Sequence, residues 1–357
     1  MNEQTWQAVA YAPELAPGVL ALHRRAWPQA EIGDERFLRW QYEENPAGPA
    51  LSALGRARGG ELIGQFGALP LRLWVDGEER LAALGLNVVT DEAYQGQGVF
   101  VALGRAADER MAQAGATIAF AMPNSNSFPG FVRHLGYTHA GDVPFLARPV
   151  NLRRLAAQRL RVPGLPSLAA LLARPFAPPL PRTAKAVAGV AVERVEEIDE
   201  QFDGFWRRVR GRERVMVVRD AAHLDWRFRR IPSRQYVCLR ATVGGGLAGY
   251  TVLRVAEVLG MRAGLVVDFL VEPSVDDVRV GRALLSEALA RFATEEVDLL
   301  ASLMLPHALE YKLLRRAGFR PLPRRLLPQP FRLVARDGPA VRDLRNWYLT
   351  MGDYDVV

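Results

Sequence analysis

The sequence is poor in three features that often reveal a protein's environment: cysteine, lysine and long apolar runs. Cys238 is the only cysteine among 357 residues, so no disulfide can form within the chain. The segment around it alternates as a strand does, which predicts a small core residue. No apolar run reaches the roughly 18 residues of a membrane helix, and the N-terminus lacks the pattern of a signal peptide. We therefore expect a cytoplasmic protein without a membrane partner.

Lysine is almost absent, since Lys185 and Lys312 are the only two among 46 basic residues, and the rest are arginines. The formal net charge is +7, which by itself could suggest a nucleic-acid partner. Acidic residues such as Asp220 and Asp225 are interleaved with the arginines, however, and this pattern is typical of a mixed, solvated surface. We expect neither a nucleic-acid partner nor a metal site.

Two parts of the chain repeat one pattern. The segment "DERFLRWQYEENPAG" at 34–48 aligns with "DAAHLDWRFRRIPSR" at 220–234. Four pairs of identical residues keep a spacing of 186: Asp34 and Asp220, Leu38 and Leu224, Trp40 and Trp226, Pro46 and Pro232. Glycine pairs follow in the same order, Gly64 with Gly249 and Gly136 with Gly318. The sequence therefore predicts a duplicated architecture, with an N-terminal domain at 1–150 and a C-terminal domain at 190–357.

The segment at 151–189 separates these halves. Its leucine and arginine spacing is helical, but prolines at positions 163, 166, 175, 178 and 179 interrupt it. We interpret it as a helical, proline-rich linker rather than a membrane-surface helix. Each half has a helical start, a meander of strands and then alternating strands and helices. This order predicts an α/β (α+β) class with a mixed sheet flanked by helices.

A glycine-rich turn, "YQGQGVF" at 94–100, joins a predicted strand at 81–90 to a predicted helix at 100–115. Such a turn exposes backbone N–H groups at the positive end of a helix, where a phosphate can bind. Gly96 and Gly98 carry no side chain that would block the anion. Taken alone, the motif is also compatible with an ordinary strand-to-helix turn.

The stretch Gln95-Gly96-Gln97-Gly98-Val99-Phe100 resembles the Gln/Arg-x-x-Gly-x-Gly/Ala signature of the GNAT superfamily of acetyltransferases. It departs from the signature at Phe100, where the family has glycine or alanine. The order of strands and helices around the motif also resembles a GNAT fold, once in each half. The resemblance therefore implies two GNAT-like domains, each with a mixed, largely antiparallel, twisted sheet flanked by helices.

The resemblance further implies acetyl-CoA as the cosubstrate. Its pantetheine arm would lie where the strand at 84–90 splays from the strand at 116–122, against backbone groups of Asn87, Val88 and Val89. Asn124 or Asn126 would touch the same arm, although residues 125–127 are equally suited to capping the next helix. The expected cofactor-binding residues are Asn87, Val88, Val89, Gln95, Gly96, Gln97, Gly98, Val99, Phe100, Asn124 and Asn126.

The catalytic residues are less well indicated. The family's usual acid, a tyrosine four residues before a glycine, is replaced by Val132. His134 and Tyr137 are neighbouring candidates, and both residue types are also common in structural roles. The acidic, aromatic C-terminus offers Asp353 and Tyr354 as candidates for an amine-binding wall, with a frayed final strand as the alternative. We assign no catalytic residue from the sequence.

The counterpart of the glycine turn in the second half is "VEPSVDDVRVGRALL". Asp276 and Asp277 replace the glutamine-glycine region, and carboxylates at this place would repel a pyrophosphate. We therefore expect acetyl-CoA in the first half alone, with an amine acceptor. Two other hypotheses remain open: a non-catalytic acyl-CoA-binding or scaffold protein, and an aminoacyl transferase that uses tRNA, against which the intact turn argues.

Overall fold

A computed structural model of the protein describes residues 5–152, 154, 179–258, 260–274, 276–327 and 329–354. Most of the predicted linker at 151–189 lies outside these residues, so the linker remains a prediction. No helix in the described ranges is long and apolar enough to cross a membrane.

The described residues form sixteen strands and eight α-helices. The strands are β1 (Trp6–Ala10), β2 (Ala53–Ala57), β3 (Leu62–Val75), β4 (Glu78–Thr90), β5 (Ile118–Ala121), β6 (Thr138–Val143), β7 (Phe145–Pro149), β8 (Ala191–Arg194), β9 (Val215–Val217), β10 (Val237–Val243), β11 (Gly246–Val258), β12 (Met261–Val271), β13 (Leu299–Leu303), β14 (Arg320–Pro321), β15 (Phe331–Arg336) and β16 (Trp347–Tyr348). The helices are α1 (Ala16–Ala26), α2 (Glu35–Tyr42), α3 (Val99–Gln113), α4 (Phe128–His134), α5 (Glu200–Val209), α6 (Ala221–Leu224), α7 (Asp277–Phe292) and α8 (Leu309–Arg316).

The chain divides into two compact units, each made of three segments. The first unit comprises Met1–Asp142, Glu213–Arg234 and Gln329–Trp347. The second unit comprises Val143–Arg212, Gln235–Pro328 and Tyr348–Val357. Each half of the sequence therefore contributes strands to both units.

The sheet of the first unit has the order β1-β2-β3-β4-β5-β15-β6, and β9 pairs with β3. Its neighbours are antiparallel from β1 to β4, whereas β4 and β5 are parallel. Helices α3 and α4 pack on one face through Leu103, Ala107 and Phe131, which are almost fully buried. Burial of a side chain as large as Leu103 or Phe131 contributes about 1.5–3 kcal/mol, so this core holds both helices against the sheet.

The repeated tryptophans lie together in the first unit. The rings of Trp40 and Trp226 stack with centroids 4.8 Å apart. Each indole N–H donates to the backbone carbonyl of the other residue, at 2.8 and 3.0 Å. Both side chains are buried, so their polar atoms are satisfied within the core as burial requires.

The second unit contains a sheet of order β14-β7-β13-β12-β11-β10-β8, again antiparallel except for β12 and β13. Helix α7 buries Val280, Leu284 and Ala288 against it. Cys238 lies on β10 and is buried, as predicted. Gly136 and Gly318 adopt the positive φ angles, 72° and 94°, expected where a helix ends on glycine. The predicted class, a mixed and mainly antiparallel sheet with flanking helices, is confirmed for both units.

Candidate active site

The glycine turn of the first unit runs from the end of β4 into the start of α3. Asp91 accepts a hydrogen bond from the N–H of Ala93 at 3.2 Å and so caps a short 3-10 turn, Glu92–Tyr94. Gly96 and Gly98 then have φ angles of 74° and 77°. A side chain at either position would meet no atom within 4 Å, so glycine is needed there for the backbone conformation. Val99 and Phe100, the first residues of α3, line the open cavity beside the turn.

Two glutamines brace this turn. The Nε2 of Gln95 donates to the carbonyl of Thr90 at 3.3 Å, and that of Gln97 donates to the carbonyl of Ala93 at 2.9 Å. Both side chains are exposed. The two side-chain amides therefore stabilise the loop by hydrogen bonds to its backbone carbonyls.

A gap opens beside the turn, between β4 and β5. Their parallel pairing joins Ala82–Gly85 to Ile118–Ala121 and ends there, although β4 continues to Thr90. On the other edge, the register with β3 passes from Gln65–Val89 to Gly67–Leu86 and omits Asn87 and Val88. Asn87 has a φ angle of 49°. A β-bulge bends a strand locally, and within the described residues β4 has no pairing with β5 beyond Gly85, which leaves room for an extended ligand.

A cavity of about 940 Å³ connects the turn and the gap. It is large enough for a cofactor, since ligand sites typically measure about 300–1,000 Å³. The predicted binding residues that line it are Val88, Val89, Gln95, Gly96, Gly98, Val99, Phe100, Asn124 and Asn126. Asn87 and Gln97 lie next to lining residues; Asn87 hydrogen-bonds with Gln41 and Gln65, and Gln97 donates to the carbonyl of Ala93.

Phe100, the departure from the family signature, is a wall of this cavity. Its ring packs against Phe66 and Phe131 with centroids 5.8 and 5.6 Å away. The space for it comes from Gly130 on α4, where an added Cβ would lie 2.5 Å from the ring. A large residue on α3 is thus matched by the absence of a side chain on α4.

The second wall is the start of α4. The Oδ1 of Asn124 accepts from the N–H groups of Asn126 and Ser127 at 3.0 and 2.9 Å. It also accepts from the Ser127 hydroxyl at 3.1 Å. Asn124 therefore shapes the turn before α4, while both asparagines line the cavity.

The catalytic candidates lie apart from the described lining of this cavity. His134 is exposed at the end of α4, and Tyr137 is buried in the core beneath it. Burial raises the pKa of Tyr137, which the nearby guanidinium of Arg336 partly opposes. Asp353 and Tyr354 are buried in the second unit, where the Asp353 carboxylate accepts from the N–H of Thr350 at 2.9 Å. The catalytic roles of all four remain predictions.

The sequence did not indicate several residues that belong to the site. Arg25 and Trp27, at the end of α1, line the cavity, and Arg25 forms a long ion pair with Asp91 at 3.4 Å. Tyr42 and Gln65 are buried behind the gap and contact Asn87. The positive φ angle of a non-glycine residue would have revealed Asn87 as special, but the sequence does not display it.

The second unit has a corresponding strand and helix, β12 and α7, but the turn that joins them is shorter. The segment between β12 and α7, at 272–276, is five residues long, whereas that between β4 and α3, at 91–98, has eight. Gly281 lies inside α7, where an added Cβ would be 2.3 Å from Leu313. It therefore permits close packing of α7 on α8. Gly104 has the same role on α3, facing Leu135.

The end of β12 is also covered by protein. The N–H of Val271 donates to Glu310 at 3.0 Å, and its carbonyl accepts from Arg212 at 2.9 Å. Tyr348 donates its hydroxyl to the carbonyl of Phe269. In the second unit, side chains thus bind the backbone groups at the end of the strand that corresponds to β4.

Comparison with known proteins defines the class. Residues 10–140 match the model of the acetyltransferase (GNAT) domain family. The structure resembles a probable N-acyltransferase from Enterococcus faecalis V583 at 15% identity, with a TM-score of 0.61, over 93% of this chain and 73% of that one. No curated protein sequence matches the chain.

Two further structures share the fold. A GCN5-related N-acetyltransferase from Anabaena variabilis is 13% identical, with a TM-score of 0.63, over 94% of this chain and 74% of that one. Saccharomyces cerevisiae N-myristoyltransferase with bound myristoyl-CoA is 12% identical, with a TM-score of 0.63, over 94% and 83% of the two chains. Identities this low establish the fold. The protein is an acyltransferase by class. The match of residues 10–140 to the GNAT domain model supports this class.

Proposed function

We propose that this protein is an acetyl-CoA-dependent N-acetyltransferase of the cytoplasm, with its chemistry in the first unit. The observation that carries the proposal is the open gap between β4 and β5, which continues into the glycine turn at the start of α3. A phosphate at the N-terminus of α3 and an extended arm in the gap would use both features at once.

In this arrangement the pyrophosphate of acetyl-CoA binds the N–H groups of residues 96–100. The pantetheine amides then pair with backbone groups of Val88 and Val89, and an N–H at the bulge polarises the thioester carbonyl. Attack by a neutral amine gives a tetrahedral oxyanion, which collapses to an amide and the CoA thiolate. The amine loses one proton and the thiolate takes one up, so the net reaction needs no further reactant.

The packing around Phe100 favours a short acyl group. The rings of Phe66, Phe100 and Phe131 fill the space between α3, α4 and the sheet. A long acyl chain directed into this space would have to displace at least one of them. The second unit favours a cofactor site in the first unit alone. In the second unit, side chains already bind the backbone groups at the end of β12.

His23 is buried beside Gln65, which donates to the bulge residue Asn87, yet it is poorly suited as the base. Burial lowers its pKa to about 4, and the neighbouring Gln65 offsets only part of this effect. An efficient general base has a pKa close to the working pH. The proton of the amine is therefore expected to leave by another group or through water.

The test compares Gly98→Asp with Gly98→Asn. Both side chains tolerate a left-handed backbone and find open space at this position, so the two variants differ mainly in charge. Two unit charges about 5 Å apart interact by about 0.8 kcal/mol in water and about 3 kcal/mol at an effective dielectric constant of 20. We therefore expect Gly98→Asp to bind acetyl-CoA about 5- to 200-fold more weakly than Gly98→Asn.

Titration calorimetry measures this difference at low and high salt, and the charge effect should shrink as salt screens it. Equal affinities of the two variants would contradict a pyrophosphate site at the turn. Release of the free CoA thiol with a panel of amines then tests transfer. Tight binding with no amine-dependent release would favour a non-catalytic acyl-CoA-binding protein instead.

A further inference from the structure

A buried group of polar side chains lies directly behind the bulge in β4. The Nε2 of Gln65 donates to the Tyr42 hydroxyl at 2.6 Å and to the backbone carbonyl of Asn87 at 3.1 Å. The Nδ2 of Asn87 donates to the Oε1 of Gln41 at 2.7 Å and to the Tyr42 hydroxyl at 3.2 Å. Gln41, Tyr42 and Gln65 are each at most 1% exposed. We call these four residues the bulge network.

The network closes around a backbone conformation that is unfavourable for most residues. Asn87 has a φ angle of 49°, which asparagine tolerates better than other residues with a side chain. Gly67 makes the close approach possible, because a Cβ there would lie 2.3 Å from the carbonyl oxygen of Leu86. The same Cβ would lie 3.1 Å from the Tyr42 hydroxyl.

The network adds no formal charge. Its members are amides and a phenol, and the adjacent His23 has a pKa lowered by burial, so the imidazole is neutral at physiological pH. A neutral and largely buried network can fix geometry without altering the charge of the gap. Its effect on the site is therefore mechanical: it holds the carbonyl of Asn87 from behind, while Val88 lines the cavity.

We propose that Gln41, Tyr42 and Gln65 are positioning residues that hold Asn87 in its left-handed conformation, so that the adjacent backbone N–H is aimed at the thioester carbonyl. This inference rests on the proposed function and extends it to residues outside the cavity. The carbonyl of Asn87 and the N–H of Val88 belong to one planar peptide group, so a hydrogen bond that holds the carbonyl also fixes the direction of the N–H. Loss of the network would thus misalign the donor while the glycine turn stays intact.

The bulge network and the glycine turn should affect different measurements, since the network aims a catalytic donor and the turn binds the cofactor. Acetyl-CoA affinity depends chiefly on the turn and the length of the gap, so it should change little when the network is broken. Removal of one oxyanion donor lowers kcat by about 10²- to 10³-fold, and a misplacement of about 1 Å has an effect near 10²-fold. We expect Tyr42→Phe to lower the turnover number by about 10- to 100-fold, with little change in Kd.

The decisive comparison is at Asn87. Glycine adopts a positive φ angle without strain, whereas alanine does not. If the network acts by holding the backbone, Asn87→Gly should retain most of the function that Asn87→Ala loses. If the Asn87 side chain instead touches the substrate, the two variants should be equally impaired. Tyr11→Phe is the matched control, because Tyr11 packs 5.0 Å from Tyr42 but donates its hydroxyl to Glu43.

The readout is the infrared stretch of an isotope-labelled acetyl carbonyl in bound acetyl-CoA, which needs no knowledge of the acceptor. The stretch should be shifted to lower frequency by the wild type, Tyr11→Phe and Asn87→Gly, and less so by Tyr42→Phe and Asn87→Ala. Calorimetry on each variant confirms that acetyl-CoA is bound. Circular dichroism confirms the fold, and Gln65→Met replaces Tyr42→Phe if the latter does not fold.

An equal shift in all variants with bound acetyl-CoA would overturn the positioning role and leave the proposed function standing. Equal losses in Asn87→Gly and Asn87→Ala would overturn it as well. If the folded wild type binds no acetyl-CoA, the proposed function itself is wrong and the inference falls with it.

Discussion

The contact between Phe100 and Gly130 offers a direct test of the cavity wall. In Gly130→Ala, the new Cβ would lie 2.5 Å from one ring atom of Phe100 and 2.9 Å from the next. Real Cβ atoms do not approach carbon so closely, so the ring must move. Phe66 and Phe131 block two of its directions. The remaining space is the cavity that Phe100 lines.

The expected magnitudes follow from this geometry. Alanine favours a helix over glycine by about 1 kcal/mol, whereas overpacking costs about 1–3 kcal/mol, so Gly130→Ala should destabilise the unit by about 0–2 kcal/mol. A ring displaced into the cavity should also weaken acetyl-CoA binding by about tenfold, or about 1.4 kcal/mol. Phe100→Ala alone should cost about 2 kcal/mol of stability, since its ring is only half-buried.

The double variant Phe100→Ala/Gly130→Ala tests whether the two residues are coupled through direct contact. With alanine at position 100 the methyl group of Ala at 130 has room, so the double variant should lose less stability than the sum of the single losses, by about 1 kcal/mol or more. It should also recover acetyl-CoA affinity relative to Gly130→Ala. Urea denaturation and calorimetry measure the two quantities. Strictly additive losses, or unchanged affinity in Gly130→Ala, would refute this account of the wall.

Two predictions concern buried charge. Burial lowers the pKa of His23 from 6.5 to about 4, so between these pH values the unfolded chain binds more protons than the folded protein. The stability that the neutral His23 contributes is therefore complete above pH 6.5 and is lost as pH falls toward 4. His23→Gln should remove up to about 3 kcal/mol of this acid sensitivity in urea denaturation. In the second unit, Glu310→Ala leaves Arg212 buried and should destabilise by about 3–5 kcal/mol. A loss below 1 kcal/mol in thermal unfolding, matched by the surface variant Glu295→Ala, would show that the pair is unimportant.

The sequence predicted the turn because it depends on local signals, whereas the gap was expected from the resemblance to a GNAT fold. Gly96 and Gly98 lie between a strand and a helix, and positive φ angles at such positions favour glycine strongly. The duplication also indicated which strand and helix belong together. These features could be inferred without any knowledge of long-range packing.

The exchange of strands between the units could not be inferred in this way. Alternation indicates that 145–149 and 331–336 are strands, but the register of a strand against a distant partner depends on the whole sheet. The structure places β7 beside β13 and β15 beside β5, each in the unit built mainly from the other half of the sequence. The bulge network was hidden for the same reason, because its hydrogen bonds join residues that lie 22 to 46 positions apart.

The two units differ at the end of the strand that lies beside the parallel pair: β4 ends next to a gap, whereas the end of β12 is bound by side chains. At the end of β4, the bulge network holds the strand from behind and the side towards β5 stays open. At the end of β12, the pair of Glu310 and Arg212 binds both backbone groups of Val271. Buried carboxylate and guanidinium groups are costly to separate, so a ligand could reach that backbone only by breaking a pair that the core depends on. Under the proposed function, the second sheet serves packing, while in the described part of the chain the gap beside β4 stays open for acetyl-CoA.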